Sequence, residues 1–268
     1  MGGKEGVEDD GVMHEHTSGG RAYHNKRTFV LICVPCYSIF MPRALRSKPS
    51  KKIVRKRVNK TILRRQAKGL RTREAILARA VDIASAQGLE GLTVGSLAEQ
   101  LGMSKSGLFA HFGSKEELQL ATVEMARQVF IDKVTRPAIA APKGMPRLWS
   151  LIDHWLILVE KRVFEGGCFF TAASFEFDGR LGVVRDRIAA IMHEWIGAIT
   201  RSVEGAQKAG HLDPKLDATR LAFEFHAIAI GAHWAHQLLE DRQAYSRARL
   251  MALEKLRSVA TSQCPHLP

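Results

Sequence analysis

The sequence predicts an all-α chain, a compact three-helix helix-turn-helix unit followed by a larger helical domain. Two observations carry this reading. From Thr72 onward apolar residues recur at helical spacing between cap residues and glycines, and no alternating strand pattern interrupts them. The chain of 268 residues is 46% hydrophobic, enough to bury a core in one large domain or two small ones.

The N-terminal part reads differently. Residues 1–42 are Gly- and His-rich, then briefly apolar from Phe29 to Met41, with no amphipathic period. They are read as a disordered extension or a mis-assigned translation start, with Met41 opening the next tract. The apolar run of 13 residues contains Pro35 and is too short to span a bilayer, so no membrane association is expected. Residues 43–70 form a basic arm. No acidic residue lies between His16 and Glu74, and 14 Lys and Arg side chains fall between Arg43 and Arg73. The formal charge of +13 resides there, and such a block seeks a polyanion.

Residues 71–118 carry the short-helix pattern. Thr72 is read as the cap of a helix whose Ile76, Ala80, Ile83 and Ala84 face inward and which Gly88 ends. Thr93 caps the next, where Val94, Leu97, Ala98 and Leu101 make one apolar face. Gly102 turns the chain, and Ser104 caps a helix from Lys105 to about Phe112. Ser114 with Glu117 reads as a capping box opening a helix from Lys115 to about Val134. Pro137, Pro142 and Pro146 are read as a linker. Further helices are expected at about 146–164, 180–209, 215–240 and 245–261, within a domain covering 119–262, and residues 263–268 form a tail.

Two short helices joined by a glycine turn make a helix-turn-helix, in which the second helix enters the major groove N-terminus first. The small polar start Ser104, Lys105 and Ser106 permits close approach, and Lys105 reaches a guanine edge or a phosphate. Leu108 and Phe112 are read as core residues that hold this helix in place.

Leu92-Thr93-Val94, Leu97-Ala98, Leu101-Gly102, Ser104, Leu108-Phe109, His111-Phe112 and Ser114-Lys115-Glu116-Glu117-Leu118 resemble the signature of the TetR family of bacterial regulators. By that resemblance Thr93, Ser104, Lys105, Phe109, His111 and Lys115 fall where the family contacts DNA. The family commonly has tyrosine where this chain has Phe109, which removes a phosphate-directed hydroxyl. The resemblance implies a cytoplasmic, nucleoid-associated homodimer on a near-palindromic operator. It also implies repression relieved by a small-molecule effector in the C-terminal domain, with no enzymatic activity and no cofactor.

Within that domain Leu221–Leu239 is apolar on more than one face, and the last two long helices are the expected dimer elements. The stretch Gly166-Gly167-Cys168-Phe169-Phe170, with Phe175 to Asp178, resembles one TetR subgroup. Trp155, Cys168, Phe169, Phe170 and Trp195 are the candidate walls of an effector pocket. Cys33-x-x-Cys36 near His14, His16 and His24 lacks a second pair at zinc spacing, and His233 and His236 lack a carboxylate or thiol partner pattern, so no metal site is expected. Two other classes were weighed. One is an enzyme using Cys168 as nucleophile, which has no flanking signature; the other is a nucleoid-coating protein that binds DNA through the arm alone.

Overall fold

The computed structural model describes residues 60–268. The extension, Cys33, Cys36 and the arm up to residue 59 lie outside the described residues. Every regular element described is helical, apart from one isolated bridge between Leu212 and Ala260.

The chain is already helical at Lys60, and α1 (Lys60–Gln87) buries Ile76, Leu77, Ala80, Val81, Ile83 and Ala84. This corrects the expected start. Thr72 is no cap: it lies inside the helix, and its hydroxyl bonds back to the Lys68 carbonyl at 3.0 Å. Lys60, Lys68 and Arg71 thus belong to a helix that runs into the core, so the basic tract merges with the first helix instead of stopping before it. Gly88 ends α1 with φ +91°, a backbone geometry that a side chain rarely adopts.

Helix α2 (Val94–Gln100) starts at a reciprocal capping box. Thr93 Oγ1 accepts from Ser96 N at 3.0 Å, and Ser96 Oγ accepts from Thr93 N at 3.3 Å. After the Gly102 turn, α3 (Lys105–Phe109) is shorter than expected, five residues long, with Ser104 as its cap. At α4 (Lys115–Phe130) the cap is only half the expected box. Ser114 Oγ accepts from Glu117 N at 3.0 Å, but the Glu117 carboxylate accepts from Gly113 N at 2.9 Å instead of from Ser114.

The proline linker is a second correction. Helix α4 passes into a π-helical turn at Ile131–Thr135 and then α5 (Arg136–Ala140), so the backbone stays helical well past Val134. Pro137 sits inside this run. Its ring has no N–H and would crowd the carbonyl four residues back in a regular helix; widening the preceding turn to a π geometry, with Arg136 N bonded to Ile131 O, makes room. Pro146 lies in the first turn of α6 (Met145–Glu160), where its missing donor costs nothing. Only Pro142 occupies the connection.

Helix α7 (Phe169–Phe177) was not expected as a helix, because its run of Phe and Ala has no polar face to reveal a period. It is followed by α8 (Val183–Lys208), α9 (Ala218–Leu238) and α10 (Ala244–Val259). Helices α4, α6, α8 and α9 pack around a core centred on Trp155, Ile188, Ile199 and Phe225. No described helix is long and apolar enough to cross a membrane.

Candidate nucleic-acid interface and ligand cavity

The helix-turn-helix is anchored from below. Leu97, Leu108 and Phe112 are fully enclosed, and the Arg73 guanidinium lies 4.8 Å from the Phe112 ring centroid. With that face spent on packing, α3 turns Ser104, Lys105, Ser106 and Phe109 outward; Phe109 is 50% exposed. Ser104 Oγ accepts from Gly107 N at 3.1 Å and lies 3.3 Å from Ser106 Oγ, a pairing that leaves one of the two hydroxyl hydrogens for a ligand. The Lys105 side chain folds back over Gly95. Its Nζ and Thr93 Oγ1 come within 3.7 and 3.8 Å of the point where Gly95 would carry a Cβ. Thr93 and Lys105 are thereby brought to one surface patch with the start of α3. His111 is half-buried beside Phe112.

Lys115 is placed differently. Its ammonium donates to Glu90 Oε1 at 2.6 Å, and Glu90 Oε2 lies 3.2 Å from Arg180 Nη1 and 3.3 Å from Gln119 Nε2. The Lys115 hydrogen bond holds the Glu90 carboxyl below its ordinary value, aided by Gln119 and the two cations. Lys115 therefore sits at a seam between the reading head and the body.

A contact that sequence reasoning missed reinforces this seam. Glu176, on α7, accepts from the backbone N–H groups of Leu89 and Glu90 at 2.7 and 2.8 Å. One carboxylate thus satisfies two donors in the loop between α1 and α2. At the other end of the same segment, Gly166 N donates to Ser85 Oγ at 3.0 Å and Gly166 O accepts from Gln237 Nε2 on α9. A Cβ on Gly166 would meet the Ser85 carbonyl oxygen at 1.8 Å, so glycine alone fits this approach.

Beneath α7 lies a cavity of about 300 Å³. Trp155, Cys168, Phe170 and Trp195 line it. Phe169 does not: it is buried away from the cavity, between Phe164 and Phe170. Sequence reasoning also missed Phe130, Arg127, Glu194 and Arg201, which reach the cavity from α4 and α8. The aromatic box is well defined, with Phe130 edge-on to Trp195 at 4.9 Å and Trp155 at 72° to Trp195 at 5.1 Å. Arg127 donates from Nε and Nη2 to one Glu194 oxygen at 3.2 and 2.8 Å. His226 stacks on Trp155 at 5.4 Å, and burial disfavours its charged form.

Cys168 is 2% exposed and lies on the cavity wall. Burial, with His236 adding to it, pushes His233 down to about 4. No group of three or more His, Cys, Asp or Glu side chains suited to a metal occurs among the described residues.

Residues 76–122 match the family profile described as bacterial regulatory proteins, tetR family, and residues 144–252 match the tetracyclin repressor-like C-terminal domain. The chain belongs to the TetR family. The reading head and the body are thus both TetR-type, as expected of a family of transcriptional regulators. A TetR regulator from Chloroflexus aurantiacus superposes with a TM-score of 0.67 and 25% identity, over 72% of this chain and 98% of that one. AibR, in a complex with isovaleryl coenzyme A and operator DNA, shares the TetR fold at a TM-score of 0.55 and 21% identity, over 70% and 97% of the two chains. The regulator TcmR of Streptomyces glaucescens is 36% identical over 75 residues, 28% of this chain and 33% of its own length. This chain therefore spans about a third of that curated relative.

Proposed function

We propose that the chain is a homodimeric, sequence-specific DNA-binding repressor released from a near-palindromic operator by a small-molecule effector. The observation that carries this reading is the coexistence of an outward polar patch on α3 with an aromatic cavity about α7, joined by the Glu176 contacts. Ser104, Lys105, Ser106 and Phe109 meet base edges, while Thr93 and His111 meet flanking phosphates. Phe109 offers an apolar contact to a sugar or a thymine methyl in place of a hydroxyl. Lys115 acts on DNA only after it leaves Glu90, so its contribution is the smallest of the set.

The dimer surface is the outward face of α9 and α10. Phe223, Trp234 and Leu238 on α9 are 68, 55 and 66% exposed, and Leu250 and Met251 project from α10. Phe223, Ala227, Gly231, Trp234 and Leu238 recur at helical spacing on one side of α9, and such a stripe is covered when a second copy packs against it. A two-fold dimer presents two reading heads to half-sites about 34–36 Å apart or a multiple of that.

Switching follows from α7. Its first residues wall the cavity and Glu176 near its end holds the loop before α2, so a ligand that shifts Phe170 or Thr171 tugs directly on the reading head. Repression is relieved only if the ligand favours the displaced state. AibR, which shares this fold, has been crystallised in complex with isovaleryl coenzyme A and operator DNA.

Selection of random duplex DNA by the purified chain tests the reading. The expected product is an inverted repeat, bound by a species of twice the monomer mass in sedimentation. Enrichment without a shared motif would overturn it in favour of coating through the basic arm.

A further inference from the structure

The aromatic cavity has a neighbour of a different character. A second cavity of about 650 Å³, between α5, the start of α6 and the end of α8, shares Thr135, Ala198 and Arg201 with the first. Lys143, Arg147, Arg201 and Lys208 all line it, and no acidic side chain does. None of the four makes an ion pair among the described residues. Arg147 is held in place by the Ala141 carbonyl, which accepts from Nε at 3.2 Å and Nη2 at 2.9 Å and leaves its charge uncompensated. Four like charges around one concavity repel one another, and the arrangement is stabilised by a multiply charged anion.

We propose that the effector is an apolar or aromatic acyl group carried on a polyanionic, phosphate-bearing head. The acyl group fills the box of Phe130, Trp155, Phe170 and Trp195, and the head occupies the cationic cavity, with Arg201 at the junction. This rests on the effector reading above and specifies its ligand. An apolar cavity of about 150 Å³ admits benzene, so about 300 Å³ takes an aromatic ring with its linker. Arginine and lysine suit the head because they bind phosphate through charge-assisted hydrogen bonds. A neutral effector would leave the four cations unused.

The probes are benzoyl coenzyme A, benzoate and coenzyme A, titrated into the full chain by calorimetry and by tryptophan fluorescence. The thioester is expected to bind at least about thirtyfold tighter than either fragment. Lys143→Ala with Lys208→Ala, both exposed positions, is expected to weaken the thioester about tenfold and leave benzoate unchanged. Trp195→Ala is expected to weaken thioester and benzoate alike. Equal affinity for thioester and benzoate, indifference of the thioester to the double variant, or no binding by any probe would overturn the proposal. Operator release separates the two levels. Release by phosphate-free aromatics with an inert thioester would sink the head-group assignment and keep the effector reading. Tight thioester binding without any change in operator affinity would do the reverse.

Discussion

The reading head and the body behind it differ in what they leave unsatisfied. In the head, α2 and α3 have seven and five residues, too short to persist alone, and each end is closed by a side-chain cap or packed on Leu97, Leu108 and Phe112. Among the described residues of the head, no buried side-chain nitrogen or oxygen is left without a partner. The body has longer helices and a larger core, yet Trp155 Nε1, Trp195 Nε1, Ser174 Oγ, His226 Nδ1, His233 Nδ1 and Tyr245 Oη make no hydrogen bond among the described residues. All six lie in the body, clustered around the cavity, α9 and α10. A fully paired unit has one low-energy arrangement, whereas a unit with unused donors and acceptors can settle into a second when a ligand or a shifted helix supplies partners. The contrast assigns rigidity to recognition and adaptability to control.

Four substitutions and one titration probe this contrast. The largest effect is expected from Leu97→Asp, which buries a carboxylate in the fully enclosed base of the head and destabilises it by more than about 3 kcal/mol. All four tryptophans, Trp149, Trp155, Trp195 and Trp234, lie in the body. Operator binding should therefore vanish while tryptophan emission stays native; a joint loss would show that head and body fold as one unit. Trp195→Ala, the mirror experiment in the body, should cost about 3–5 kcal/mol in denaturant unfolding. Next comes Glu176→Gln. An amide oxygen serves one of the two backbone donors well, so about 1–3 kcal/mol of the link between head and body is lost. Titrations should show operator affinity that no longer responds to cavity occupancy. Lys105→Ala should weaken operator binding about tenfold and reduce the salt slope by about one, read from binding isotherms at several salt concentrations.

A further test concerns pH. His233 titrates near 4 in the folded chain against 6.5 when unfolded, so the unfolded state binds more protons between those values. Stability from this group is complete above pH 6.5 and is lost as pH falls toward 4. His233→Gln should flatten the melting temperature across that window, and an unchanged slope would mean that other groups set it.

The same contrast explains how far the sequence could be read. Helix caps and turn glycines act over three or four residues, so Thr93, Ser104, Ser114 and the apolar faces of α1 and α2 were legible locally. The π turn was not, because Pro137 looks like a helix breaker until the preceding turn is seen to widen around it. Helix α7 was hidden because its apolar and polar residues fall on no clear helical face. In the cavity, Trp155, Trp195 and Phe170 stood out by residue type alone, but Phe130, Arg127 and Arg201 come from helices that meet only in the fold. Lys115 and Glu176 show the same limit: each is committed to the seam by partners 25 and 87 residues away.

Selection of operator DNA at two salt concentrations, with the wild-type chain and with Lys105→Ala, tests the central claim most directly. The account predicts one near-palindromic motif from the wild type at both salts, and from the variant only a weakened form that fades at the higher salt. Equal recovery by both chains of DNA without a common motif, abolished at the higher salt, would contradict it and move DNA binding from α3 to the basic arm.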